Sequence, residues 1–303
     1  MRIVIGVDRS SAATMACELV GSRTWPIGTR VSLVAAVEPA VDWTGLAPAQ
    51  ADAAETEREA LELVLAERAA ALRRVGPGLV VETAVETGRA AAVLMARADA
   101  EFADLIVVGS RGLGPAASAV FGSVSAELVD HARCPVLVAR SPSVNCMLLA
   151  TDGTASSRSI PSVLAAWRDA FRGVPVEVLS VAPRDGFVTP WASEAEDAPT
   201  GELALHEGIA HSVAAEMIEL GWHAAAVAKL GEPSRQIIDT GRECGADLIV
   251  TGSRGIGTLR RLVGGSVAHD VLLHARSSVL VVRGQVPARI AERASAFAAL
   301  NPV

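Results

Sequence analysis

The 303 residues carry 27 Lys and Arg against 34 Asp and Glu, a formal net charge of −7 at pH 7, with half of the residues hydrophobic and one fifth charged. That balance leaves no electrostatic footprint for nucleic acid or for an anionic membrane surface, and five Trp, five Phe and no Tyr offer little for base-stacking platforms. No stretch supplies the ~18 to 20 uninterrupted apolar residues of a membrane span, and the apolar run at the N-terminus is too short for a signal peptide, so the expected location is the cytoplasm.

In chain order, RIVIGVD reads as a buried strand ending at Asp8, with Ser10 or Ser11 placed to cap the following helix. VSLVAAVEP is a second strand, stopped by Pro39. After a loop holding Trp43 and Pro48, residues Leu61, Val64, Leu65, Ala69 and Leu72 recur at helical spacing and mark the buried face of a long helix. A third strand over 79–86, a helix from Gly88 to Glu101 and a fourth strand over Leu105 to Val108 follow. The helix beginning at Ser123 ends near His131, with Pro135 soon after, and Val136 to Arg140 forms the fifth strand. This β-α alternation predicts an open parallel five-stranded sheet with helices on both faces.

A polar linker, SPSVN, leads to a second half with the same order. Strands are expected over Met147 to Asp152, Val176 to Pro183, Ala224 to Leu230 and Val279 to Arg283, with a fourth before Gly252. The predicted division is a first domain over 1–141, a second over 146–284 and an alanine-rich helical tail over 285–303. Residues 104–125 (DLIVVGSRGLGPAASAVFGSVS) and 247–268 (DLIVTGSRGIGTLRRLVGGSVA) align without a gap at 13 identities in 22 positions. Both keep one glycine frame: Gly109, two residues, Gly112, nine residues, Gly122-Ser123, matched by Gly252, Gly255 and Gly265-Ser266.

A strand feeding a glycine loop feeding a helix start suits phosphate, because glycine lets the backbone approach an anion and the helix start presents unpaired N–H groups. The Ser123 and Ser266 hydroxyls and the Arg111 and Arg254 guanidinium groups would add donors and charge. Asp8 and Asp152, at the ends of the first strands, would suit a phosphate-bound Mg²⁺ or a ribose hydroxyl; each also suits a simple helix-capping role. The frame is not a Walker loop, since no Gly-Lys-Ser/Thr follows, and it is a poor dinucleotide fingerprint because it follows the fourth strand instead of the first. His131 and His274 are placed to stabilise helix C-termini. Cys17, Cys134, Cys146 and Cys244 lack CxxC spacing and read as scattered, reduced and mostly buried thiols, with neither zinc nor a disulfide framework indicated.

The paired frames, the strand ends IGVD and LATD, the GSRG loops and the HARCPVLV ending resemble the universal stress proteins in their tandem-domain form, over nearly the whole chain to about Arg283. The resemblance implies an adenine-nucleotide fold of the alpha hydrolase-like, Rossmann-like type with strand order 3-2-1-4-5. It implies an ATP site lined by Asp8, Val37, Gly109, Arg111, Gly112, Gly122, Ser123, Val124 and Ser125, and a second lined by Asp152, Val181, Gly252, Arg254, Gly255, Gly265, Ser266 and Val267. Ala268 stands where the first site has Ser125, which predicts a weaker second site. It further implies pairing through the fifth strands, as an internal pseudo-dimer of the two domains and in a possible homodimer. Binding ATP with Mg²⁺ in a regulatory, stress-response role is then the expected function. A weak ATPase or self-phosphorylating enzyme and a nucleotide-free dimerisation module remain the alternatives, with no residue assigned as catalytic. The glycine frame does not distinguish ATP from AMP or cyclic AMP.

Overall fold

A computed structural model of the chain describes residues 1–38, 47–110, 122–183, 198–253 and 267–283. The chain forms two compact units, Met1–Ser143 and Val144–Val303. The expected tail over 285–303 lies outside the described residues, as do Trp43 and Trp191.

In the first unit the strands are β1 (Arg2–Gly6), β2 (Arg30–Val37), β3 (Val80–Thr87), β4 (Leu105–Gly109) and β5 (Val136–Ala139), and the helices are α1 (Ser11–Gly21), α2 (Ala47–Val75), α3 (Ala90–Glu101) and α4 (Ser123–His131). The strands lie parallel in the order β3-β2-β1-β4-β5. Their near-continuous apolar runs follow from burial on both faces: Ile3, Ile5, Leu33, Leu105 and Ile106 are at most 1 % exposed. On α2 the stripe of Leu61, Leu65, Ala69 and Leu72 is buried as its spacing predicts, and Val64 sits at its margin.

The second unit repeats the plan with β6 (Met147–Thr151), β7 (Val176–Ala182), β8 (Ala224–Leu230), β9 (Leu248–Ser253) and β10 (Ser278–Arg283), and with α7 (Ala198–Glu219), α8 (Pro233–Glu243) and α9 (Val267–His274). Its parallel order is β8-β7-β6-β9-β10. One element departs from the repeat. Where the first unit has the continuous α1, the second has α5 (Ala155–Arg158), α6 (Ile160–Ala166) and a 3₁₀ turn over Arg168–Phe171. Pro161 lies in the first turn of α6, and it has no N–H to return to the carbonyl four residues back, so one continuous helix cannot run from α5 into α6.

Helix ends follow local chemistry. Ser10 is the N-cap of α1, its Oγ accepting from Ala13 N at 3.2 Å. Glu232 caps α8, its carboxylate accepting from the N–H groups of Ser234 and Arg235 at 2.9 and 2.7 Å. The His131 and His274 rings donate from Nδ1 to the carbonyls of Glu127 and Asp270 at 3.0 and 2.9 Å, closing the last turns of α4 and α9 as expected.

Candidate functional site

In an order of 3-2-1-4-5 the connections leaving β1 and β4 run to opposite sides, so a crevice opens beyond their carboxyl ends. Ile5 pairs with Val107, which brings Asp8, just past β1, beside Gly109, the last residue of β4. Asp8 Oδ1 accepts from both the N–H and the Oγ of Ser10, at 2.9 and 2.5 Å. The cap of α1 is Ser10, and Asp8 holds that cap residue in place from two positions upstream while standing at the crevice.

The first glycine of the frame has a packing reason. A Cβ on Gly109 would sit 2.5 Å from the carbonyl carbon, 2.7 Å from the carbonyl oxygen and 2.7 Å from the Cβ of Ala12 in α1. Glycine at this position lets the first turn of α1 lie directly on the end of β4. A Cβ on Gly252 would sit 3.0 to 3.1 Å from Ser156 and Ser157 backbone atoms, so the second unit repeats the contact less tightly. At the far end of the frame, Gly122 is the N-cap of α4 and its N–H donates to the Ser110 carbonyl at 3.2 Å, joining the two described ends of the loop.

Ser123 is exposed at the first position of α4, with Val124 half-buried beside it. The first turn of a helix leaves its N–H groups without partners inside the helix, so this end presents donors to an anion. Ser125 points elsewhere: it is buried, and its hydroxyl donates to the Gly122 carbonyl at 2.9 Å. The first turn of α4 itself holds the hydroxyl that the resemblance assigns to phosphate. Val267 begins α9, half-buried, with Ala268 buried next to it. Arg111 and Gly112, and Arg254, Gly255, Gly265 and Ser266, lie outside the described residues.

The equivalence between Val37 and Val181 shifts by one residue. Gly6 pairs with Val34 and Ala150 with Leu179, which sets Val37 opposite Ala182. The carbonyls agree, since Val37 O accepts from Gly88 N and Ala182 O from Gly231 N, each at 2.9 Å. The connection from β6 to β7 is one residue longer than that from β1 to β2. Because side chains alternate along a strand, Val181 faces the side opposite to the one Val37 takes in its own unit.

The second site rests on a polar network absent from the first. Asp152 Oδ1 accepts from Thr154 N at 3.0 Å, Thr154 Oγ1 at 2.6 Å and Ser157 Oγ at 2.8 Å. Thr151 Oγ1 donates to Ser157 Oγ at 3.1 Å. Ser180 Oγ donates to the Thr151 carbonyl at 2.9 Å, which spends its only proton, so its 2.8 Å contact with His206 Nδ1 is donated by the ring. By strand register and helix spacing, Thr151, Ser157, Ser180 and His206 take the places of Val7, Ala13, Ala35 and Leu61, all four buried. Four apolar core positions have become one hydrogen-bonded chain running from α7 through β7 and β6 to the site carboxylate. Read singly, His206 suggests nothing; its partner is fixed only once α7 packs on β7. Aligning the repeats by strand register, however, exposes four polar residues at apolar positions.

Among the described residues there is no group of three or more His, Cys, Asp or Glu side chains able to hold a metal. No described helix is long and apolar enough to cross a membrane.

The sequence profile of the universal stress protein family matches residues 1–140 and again 146–283. Two universal stress proteins of Mycobacterium tuberculosis strain H37Rv are each 29 % identical to the chain, covering 93 % of it and 96 % of their own length. A universal stress protein of Thermus aquaticus is 36 % identical over 139 residues, 46 % of this chain and 97 % of the relative, so it corresponds to one repeat. The crystal structure of a universal stress protein from Archaeoglobus fulgidus superposes with a TM-score of 0.66 at 18 % identity, covering 94 % of this chain and 98 % of that one. This likeness bears on the fold alone. With the family matched over both halves, the chain belongs to the universal stress protein family as a member with two repeats.

Proposed function

We propose that this protein is a cytoplasmic adenine-nucleotide-binding regulator that takes ATP at the carboxyl ends of β1 and β4 and, less tightly, at those of β6 and β9. The observation that carries the reading is the same arrangement built twice: an aspartate beyond the first strand that holds the N-cap residue of the next helix, beside a glycine near the end of the fourth strand that lets helix and strand meet. The helix N-terminus that closes the frame in the first unit adds exposed donors. Phosphates would lie along Gly109, Arg111, Gly112, Gly122, Ser123 and Val124, and the ribose against Asp8. Each site contributes one carboxylate, so a Mg²⁺ ion would arrive with the phosphates, with Asp8 or Asp152 completing its shell.

The first site is the tighter one in this reading. Among the described residues Asp8 Oδ1 receives two donors, both from Ser10, whereas Asp152 Oδ1 receives at least three and has less acceptor capacity to give a ligand. Nucleotide binding would act on the stress response by shifting the population of partner-competent conformations. Pairing through the fifth strands, within the chain or between two chains, belongs to the same proposal, and light scattering of the full chain with and without ATP tests the homodimer.

The direct test is calorimetric melting of the full chain with increasing MgATP. A ligand at a hundred times its Kd stabilises by about 2.7 kcal/mol, so the melting temperature should climb with the logarithm of ATP concentration. An unchanged melting temperature up to millimolar ATP sinks the reading. ADP released in excess of protein would instead identify a hydrolase.

A further inference from the structure

Cys146 precedes β6, and Cys244 is the C-cap of α8, at the end of the sheet opposite the nucleotide crevice. The backbone sets them side by side. The Cys146 carbonyl accepts from the N–H groups of Asp247 and Leu248 at 3.0 and 3.3 Å, and the turn after Cys244 is closed by Ala246 N donating to Gly241 O at 2.8 Å. The Cys244 S–H donates to the Gly241 carbonyl at 3.8 Å, and the two thiols lie near enough for each to perturb the ionisation of the other. Both are partly exposed, whereas Cys17 and Cys134 are buried.

The first unit shows that this proximity is a property of the fold. Asp104 N donates to the Arg2 carbonyl as Asp247 N donates to the Cys146 carbonyl, so Arg2 and Cys146 are equivalent. Ala103 N reaches Ala98 O as Ala246 N reaches Gly241 O, which makes Glu101 the equivalent of Cys244. Arg2 donates through its guanidinium to the carbonyl of Glu101. The same two positions touch in both repeats, and only the second carries sulfur at both.

We propose that Cys146 and Cys244 form a reversible redox pair that hydrogen peroxide closes to an intramolecular disulfide. Cys146 sulfur attacks one peroxide oxygen; the O–O bond breaks, and the departing hydroxide leaves as water with the thiol proton, giving a sulfenic acid. Cys244 sulfur then attacks Cys146 sulfur; the S–O bond breaks, and the second hydroxide leaves as water with the Cys244 proton. Two electrons pass from the sulfur pair to one peroxide, which becomes two waters, and a dithiol reverses the change by exchange. The order of attack follows from the environment. Burial raises both thiols, but the neighbouring Cys244 opposes the rise at Cys146, while Cys146 adds to the rise at Cys244, which is pushed up to about 11. Cys146 is the better thiolate and Cys244 the resolving partner. Burial pushes Cys17 and Cys134 up to about 12 and keeps them out of the reaction.

The test needs no nucleotide. The reduced full chain is treated with hydrogen peroxide, alkylated and mapped by peptide mass spectrometry, with thiols counted before and after dithiothreitol. Two of the four thiols should disappear and return on reduction, with one cross-linked peptide joining Cys146 to Cys244. Cys244→Ser should leave Cys146 as a sulfenic acid that dimedone captures, and Cys146→Ser should lose no thiol. The proposal is overturned if the wild-type chain keeps four free thiols, or if its disulfide involves Cys17, Cys134 or a second chain.

Discussion

Replacing Gly109 by alanine tests the physical role assigned to the first glycine of the frame. The added Cβ would stand 2.5 to 2.7 Å from the Ala12 carbonyl group and Cβ. Two of those three atoms are backbone, so the conflict is relieved only by moving the first turn of α1 by roughly 1 Å, the shortfall from ordinary van der Waals contact. Overpacking of a well-filled site costs about 1 to 3 kcal/mol, and immobile backbone neighbours place Gly109→Ala at the upper end. Gly252→Ala faces atoms at 3.0 to 3.1 Å and needs a shift of a few tenths of an ångström, so its cost should fall near the lower end. At about 2 to 4 °C per kcal/mol for a unit of this size, differential scanning calorimetry should show a drop of about 6 to 12 °C for Gly109→Ala and about 2 to 4 °C for Gly252→Ala. Equal losses, or a larger one at Gly252, would refute the packing argument.

The polar chain beneath Asp152 makes a different kind of prediction. Ser157→Ala alone takes the acceptor from the buried Thr151 O–H and a donor from Asp152, and should cost about 1 to 3 kcal/mol in urea unfolding. Replacing all four by their first-unit counterparts, Thr151→Val, Ser157→Ala, Ser180→Ala and His206→Leu, should cost much less than the sum of the single changes, because the side chains that pair with one another leave together; additive costs would contradict the linked chain. Glu232→Ala removes the cap of α8 and should cost about 1 kcal/mol at pH 7. Burial raises the Glu232 carboxyl, but the Arg235 and Ser234 N–H bonds and the Ser234 hydroxyl outweigh it and hold the group below its usual 4.5. The cap's stabilisation is therefore full above that value and fades as pH falls through the lowered one, so the wild-type advantage should shrink between pH 5 and pH 3. A constant difference in urea melts across that range would rule the cap out. Phe102, the exposed C-cap of α3, holds φ 51° where the second unit has Gly245 at φ 66°. Phe102→Gly should accordingly raise stability by about 1 kcal/mol, read as a higher urea midpoint.

Much of the architecture is legible because burial leaves a direct mark. Strands covered on both faces appear as unbroken apolar runs such as Leu105 to Val108, and the α2 stripe shows helical spacing. The histidine caps are equally visible, since His131 and His274 fall at the last turns of their helices. Contacts between distant segments leave no such mark. Cys146 and Cys244 are 98 positions apart, and only the turn after α8 shows that they meet. His206 has no informative neighbour in sequence, because its partner Ser180 lies on β7. The resemblance sets Val181 in the place of Val37, and one extra residue ahead of β7 moves the true equivalent to Ala182. The Ser125 hydroxyl faces Gly122 because a buried serine in a first helical turn finds its acceptor one turn back, a detail that spacing alone does not reveal.

The central claim is that both repeats hold an adenine nucleotide and that the first holds it more tightly. Equilibrium dialysis of the full chain against MgATP, with bound nucleotide released by denaturation and quantified per chain, measures this directly. The account predicts two classes of site, one ATP per chain filling first and a second filling at higher concentration, with Asp8→Ala abolishing the tight class and leaving the weak one. No bound nucleotide at millimolar ATP, or two indistinguishable sites unaffected by Asp8→Ala, would contradict it.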